Sequence, residues 1–131
     1  MSTTPLQHEV REFFDAFVAA FREFDGPLVA QRYTSPCMSV DAQGKLRSFR
    51  TRAETADYFQ SVLTTYQEQG CRSCRFSDPE VVAMGCSSTL ATVTWELLRG
   101  DGSILTTWRE SYHLVRTGDG LRVATSTDHA G

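Results

Sequence analysis

Arg109, Ser111 and His113 stand at alternate positions of the stretch Ile104 to Arg116, which reads Ile-Leu-Thr-Thr-Trp-Arg-Glu-Ser-Tyr-His-Leu-Val-Arg. Each side chain has its own chemistry. An imidazole can take or give a proton near neutral pH, and a guanidinium can grip a carboxylate with two parallel hydrogen bonds. The competing structural reading is an Arg109 ion pair with Glu96 or another neighbour, and a His113 used in a core hydrogen bond or a dimer face. A second constellation, Asp128-His129, joins a carboxylate to an imidazole, although neighbours on a strand point to opposite sides. Asp41 opens the turn Asp41-Ala42-Gln43-Gly44, where an aspartate ordinarily accepts hydrogen bonds from the amides that follow it. Cys71 and Cys74 form a Cys-x-x-Cys without a second paired ligand set, which argues against zinc. On a regular strand these two thiols would point to opposite faces.

The elements that must position these groups are legible. Beta-branched and aromatic residues fill 104–116, a strand signal, and Thr117-Gly118-Asp119-Gly120 closes it. One face carries Ile104, Thr106, Trp108, Glu110, Tyr112 and Leu114. The other carries Leu105, Thr107, Arg109, Ser111, His113 and Val115. Further strands are expected at 71–83 (interrupted near Asp78-Pro79), 87–99 and 121–128. A short hairpin, Cys37–Asp41 with Lys45–Phe49, comes earlier in the chain. Thr4-Pro5-Leu6-Gln7 is a helix start with an N-cap, a proline at N1 and a capping-box glutamine. Val10, Phe13, Phe14, Phe17, Val18, Phe21 and Phe24 follow at three- and four-residue spacing, an apolar stripe for a core. A short helix from Leu28 to about Tyr33 comes next, and Thr51-Arg52-Ala53-Glu54 opens a third helix ending near Gln69. Helices first and a meander afterwards predict an α+β domain spanning 1–131, with three N-terminal helices on a curved antiparallel sheet of strands of mixed length.

Composition bounds the partners. At 131 residues the chain can bury a proper core. Its net charge of −3 argues against nucleic acid. No apolar run approaches the roughly 20 residues of a membrane span. The N-terminus lacks the basic and apolar regions of a secretory signal, so a cytoplasmic protein with reduced thiols is expected.

The order of elements, the phenylalanine-rich first helix and the closing Tyr-His-Leu-Val-Arg-Thr-Gly-Asp-Gly-Leu-Arg-Val resemble the NTF2-like superfamily, in its SnoaL-like and ketosteroid-isomerase-like branches. The resemblance implies a cone whose curved sheet wraps the helices, a pocket at its open end, and homodimers formed through the sheet. The superfamily includes isomerases, cyclases, dehydratases and epoxide hydrolases besides non-catalytic domains, so fold alone does not assign activity. Val40-Asp41-Ala42-Gln43-Gly44 is similar to the ketosteroid isomerase hairpin that carries a general base, which makes Asp41 the expected base. Arg109 and His113 are the expected polarising or orienting groups. Phe17 falls where that family has a tyrosine donor, and the family's protonated aspartate falls near Ser111. Steroid isomerisation is therefore not expected.

The expected pocket lining is Phe14, Phe17, Tyr33, Tyr58, Phe59, Ser111, Asp128 and His129, with Trp108, Glu110 and Tyr112 on the opposite, dimer-facing side of the strand. A small apolar molecule is the expected ligand, with cofactor-free acid–base chemistry and no metal. The alternative is an interaction domain that uses its sheet as a docking surface.

Overall fold

The computed structural model describes residues 3–130; Met1, Ser2 and Gly131, the ends of the expected 1–131 domain, lie outside them. Helix α1 spans Pro5–Arg22, α2 Gly26–Ala30 and α3 Arg52–Glu68. The strands are β1 (Tyr33–Val40), β2 (Leu46–Phe49), β3 (Cys71–Met84), β4 (Ser88–Arg99), β5 (Ile104–Thr117) and β6 (Gly120–Asp128). They form a sheet in the order β2-β1-β6-β5-β4-β3.

Local chemistry sets the helix ends. Thr4 Oγ1 accepts from the Gln7 amide at 3.1 Å, and the Gln7 side chain accepts from the Thr4 amide at 3.0 Å, a complete capping box. At α3 the box is half-formed. Thr51 accepts from the Glu54 amide, but the Glu54 carboxylate caps the amide of Arg50 instead. Helix α2 begins earlier than expected, because Asp25 serves as its N-cap through the Leu28 amide. Gly26 lies so close to α3 that an added Cβ would stand 2.4 Å from the Ala56 carbonyl oxygen. Only glycine permits that approach.

The sheet is mixed. β1 runs parallel to β6, whereas the other neighbours pair antiparallel. β1 also starts at Tyr33, well before the expected Cys37, and it is this extension that pairs with Val123. β3 is continuous through Asp78-Pro79, because a register shift between Ser77 and Glu80 absorbs the proline. A second shift, between Cys71 and Ser73, corrects the expectation for the Cys-x-x-Cys: both thiols are completely buried on the core side.

Val10, Phe14, Phe17 and Phe21 of α1 pack on Ala91, Val93, Trp95 and Leu97 of β4 and on Tyr112 and Leu114 of β5. Phe14 sits edge-on to Tyr112 at 5.3 Å, and Phe17 tilts over Trp95 at 5.5 Å. The helix-facing side of β5 is therefore Trp108, Glu110, Tyr112 and Leu114. This aromatic core stops short of one end of the cone. No helix among the described residues is long and apolar enough to cross a membrane.

Candidate functional site

At the open end of the cone lies a cavity of about 130 Å³. Its walls come from every layer: Phe17 and Phe21 of α1, Tyr33 of β1, Tyr58, Phe59 and Tyr66 of α3, Trp95 of β4, and Trp108 and Tyr112 of β5. Tyr33 packs tilted against Phe59, with ring centroids 4.8 Å apart, which fixes one wall. Asp41, Lys45 and Arg47 stand at the mouth, and the Arg47 guanidinium lies 4.8 Å over the Tyr58 ring.

Two carboxyls lie on the floor. Glu110 and Asp128 face each other across the β5–β6 ladder. The indole N–H of Trp108 donates to Glu110 Oε1 at 2.9 Å. Behind it, the indole N–H of Trp95 donates to the Tyr112 hydroxyl at 2.7 Å. Glu110 is 9% exposed. Burial, then the negative charge of Asp128, push its carboxyl up to about 8, against the pull of the Trp108 and Tyr112 hydrogen bonds. Asp128 is also raised, first by burial, while the hydrogen bond from Glu110 holds it down. Two carboxyls this close in an apolar site cannot both ionise easily, so they titrate as a pair. With Glu110 raised to about 8, the pair keeps a proton near neutral pH. Burial, followed by the Glu110 charge, raises the phenols of Tyr33 and Tyr112 well above 10, so both keep their protons.

The remaining expected residues divide between the two sides of the sheet. Phe17, Tyr33, Tyr58, Phe59 and Asp128 line the cavity, and Asp41 stands at its rim. Asp41 is half-buried in its turn, where Oδ1 accepts from the amides of Gln43 and Lys45, both at 2.9 Å. Phe14 is completely buried behind the wall and does not reach the cavity. Arg109, Ser111, His113 and His129 belong to the outer face, because the pleat that turns Tyr112 and Leu114 into the core turns these residues away from it. The two face assignments of β5 are thus exchanged relative to the sequence reading. Arg109 donates to Thr94 at 2.9 Å and pairs with Glu80 at 2.7 Å. Glu96 pairs instead with Arg75. Ser111 Oγ bridges Thr92 Oγ1 at 2.7 Å and His129 Nε2 at 2.8 Å. His113 Nε2 is buried without a hydrogen-bond partner among the described residues.

Glu110 is the site residue that sequence reasoning set on the wrong side. The signal was present: Glu110 shares its face with Trp108, Tyr112 and Leu114, the bulkiest apolar set on the strand. A carboxylate embedded in a core stripe is the informative exception. The cysteines supply no reactive thiolate in the interior, since burial raises Cys37 and Cys71 and pushes Cys74 up to about 12. No group of three or more metal-ligating side chains occurs among the described residues.

Solved structures of the same fold are numerous. A ketosteroid isomerase-like protein from Erwinia carotovora atroseptica is 16% identical, with a TM-score of 0.70 over 97% of both chains. A candidate dehydratase of the NTF2-like family from Streptomyces avermitilis is 17% identical, with a TM-score of 0.66 over 95% of this chain and 94% of that one. A candidate calcium/calmodulin-dependent protein kinase II association domain from Xanthomonas campestris is 17% identical, with a TM-score of 0.72 over 99% of this chain and 93% of that one. At such identities the likeness is one of fold. A search of curated proteins found no match. The model of the family described as NTF2-like protein (DUF6841) matches residues 8–131, nearly the whole length, and the chain therefore belongs to that NTF2-like family.

Proposed function

We infer that the cone is the binding site of a small, mainly apolar molecule, on which the Glu110–Asp128 pair performs cofactor-free proton transfer. The observation that carries this reading is a pair of facing carboxyls, Glu110 and Asp128, on the floor of an aromatic cavity, with Glu110 buried and its carboxyl raised. A neutral acid beside a carboxylate is what bifunctional catalysis needs. Asp128 takes a proton from the ligand while Glu110 delivers one to it, and the pair ends with its proton count unchanged. Isomerisation and dehydration both have this balance, and epoxide opening can use the same acid with water as the nucleophile. Asp41 at the rim is a third carboxylate, within reach of a ligand that protrudes from the mouth.

The volume limits the size of the guest. A dry cavity of about 150 Å³ accommodates benzene, so about 130 Å³ encloses at most one small ring, and any substituent extends toward the mouth. The test is a thermal-shift screen of one-ring ketones, alcohols, epoxides and amines, followed by turnover assays on whatever stabilises the protein. A ligand at 100 times its Kd stabilises by about 2.7 kcal/mol. If no compound raises the melting temperature and Glu110→Gln behaves as wild type throughout, the reading is wrong.

A second reading concerns the outer face of the sheet, where Val82, Met84 and Leu90 are exposed and the His113 Nε2 lacks a partner among the described residues. These features favour a homodimer formed through the sheet, with or without catalysis in the cone. Sedimentation equilibrium tests it: a monomer at micromolar concentration would remove the support for this face as a docking surface.

A further inference from the structure

Two hydroxyl-bearing residues of the cavity wall are more than nine-tenths buried. Tyr33 is 4% exposed and Ser126 5% exposed, and both line the cavity with Glu110 and Asp128. Their placement around the carboxyl pair sets up a constellation of oxygen acceptors. Glu110 and Asp128 make this part of the lining acidic. Lys45 and Arg47 are exposed at the mouth, and Arg47 is spent on the face of Tyr58. His129, the basic neighbour of Asp128, is turned to the outer face and bonded to Ser111. Around this charge stand the aromatic side chains of Tyr33, Tyr58, Phe59, Tyr66, Trp95 and Trp108.

We propose that the ligand of this cavity is a small organic ammonium ion, with its nitrogen among the carboxyls of Glu110 and Asp128 and the hydroxyls of Tyr33 and Ser126, and its ring against the aromatic walls. The proposal rests on the reading of the cone as a ligand site and names its substrate class. An ammonium group offers donors and no acceptor, which matches a lining of carboxyl and hydroxyl oxygens. Its charge completes the buried pair, and aromatic faces hold a desolvated cation better than water-exposed ones do. An alcohol of the same shape leaves the carboxylate uncompensated. A carboxylate ligand meets like charge, which disfavours it.

The experiment compares benzylammonium with benzyl alcohol, two ligands of nearly the same shape that differ in charge, at pH 7. The two tryptophans of the chain, Trp95 and Trp108, both line the cavity, so intrinsic fluorescence reports its occupancy. Benzylammonium is expected to bind at least tenfold more tightly than benzyl alcohol in the wild-type protein. Asp128→Asn and Glu110→Gln, both near-isosteric, are expected to shrink that preference to threefold or less. If benzyl alcohol perturbs the tryptophans and binds as tightly as the amine, the ammonium proposal falls and the pocket reading stands. If the amine is preferred but neither variant reduces the preference, the cation is held elsewhere and the proposal is overturned. If neither compound reaches the tryptophans, the proposal and the reading of the cone as a ligand site fall together.

Discussion

Both faces of β5 carry polar side chains, yet they have opposite physical situations. On the inner face, Glu110 lies between Trp108 and Tyr112, takes one indole hydrogen bond and shares a proton with Asp128. On the outer face, Arg109 and Ser111 are tied to Glu80, Thr94, Thr92 and His129 in contacts that water also reaches. Desolvation separates the two. A carboxyl in an apolar pocket changes its protonation state and becomes a proton donor, whereas a solvated ion pair gains little from its geometry. Polar density along a strand therefore does not locate a site; the burial of one titratable group does.

Substitutions should separate the faces sharply. Glu110→Gln and Asp128→Asn should each lower kcat/KM by about a hundredfold or more on a substrate identified by screening, the usual contribution of a positioned acid or base. Arg109→Ala and Ser111→Ala should change it by about threefold at most, since neither touches the cavity. Equal losses from both sets would erase the distinction.

The pH dependence of stability sharpens it further. Folding raises the Glu110 carboxyl from an ordinary 4.5 to about 8, so the native state binds more protons than the unfolded chain across that interval. Stability is accordingly greatest below pH 4.5, with respect to this group, and falls as pH rises to about 8. The loss is on the order of a few kcal/mol in all. Asp128 is raised too and contributes with the same sign. In Glu110→Gln this part of the slope should vanish, so that the variant gains on wild type as pH rises. Urea titrations at pH 5, 7 and 9 would measure it. Activity should likewise fall above about pH 8, where Glu110 gives up the proton it must donate.

Smaller effects test the supports. Tyr112→Phe removes the acceptor of the Trp95 indole N–H and leaves a buried donor unsatisfied, at a cost of about 1–3 kcal/mol. On the outer face, His113→Leu removes a buried nitrogen that has no partner among the described residues, so stability should stay level or rise by about 1 kcal/mol in dilute urea melts. A loss that grows with protein concentration would instead place His113 in a contact between two copies.

How much of this was legible in the chain follows from the range of each signal. Thr4 with Gln7, the phenylalanine stripe of α1, Thr51 before α3 and the Gly-Asp-Gly turn are local devices, and they form as their spacing predicts. The aromatic residues Phe17, Tyr33, Tyr58 and Phe59 reach the cavity because they continue core stripes. The orientation of β5 was the failure. Period two divides a strand into two faces, but it does not say which face meets the helices when both carry polar groups. The parallel pairing of β1 with β6 and the inward turn of both Cys71 and Cys74 were hidden for related reasons. One is a contact between the ends of the chain, and the other is a single-residue register shift.

The sequence by itself thus determined the class of fold and the segments that compose it, because caps, turns and periodicity act over a few residues. The tertiary structure alone decided which carboxyl is the acid. Glu110 becomes one only when β6 brings Asp128 opposite it and Trp108, Tyr33 and Tyr66 exclude water around the pair. A pKa is a property of surroundings, and those surroundings are assembled from residues nearly a hundred positions apart.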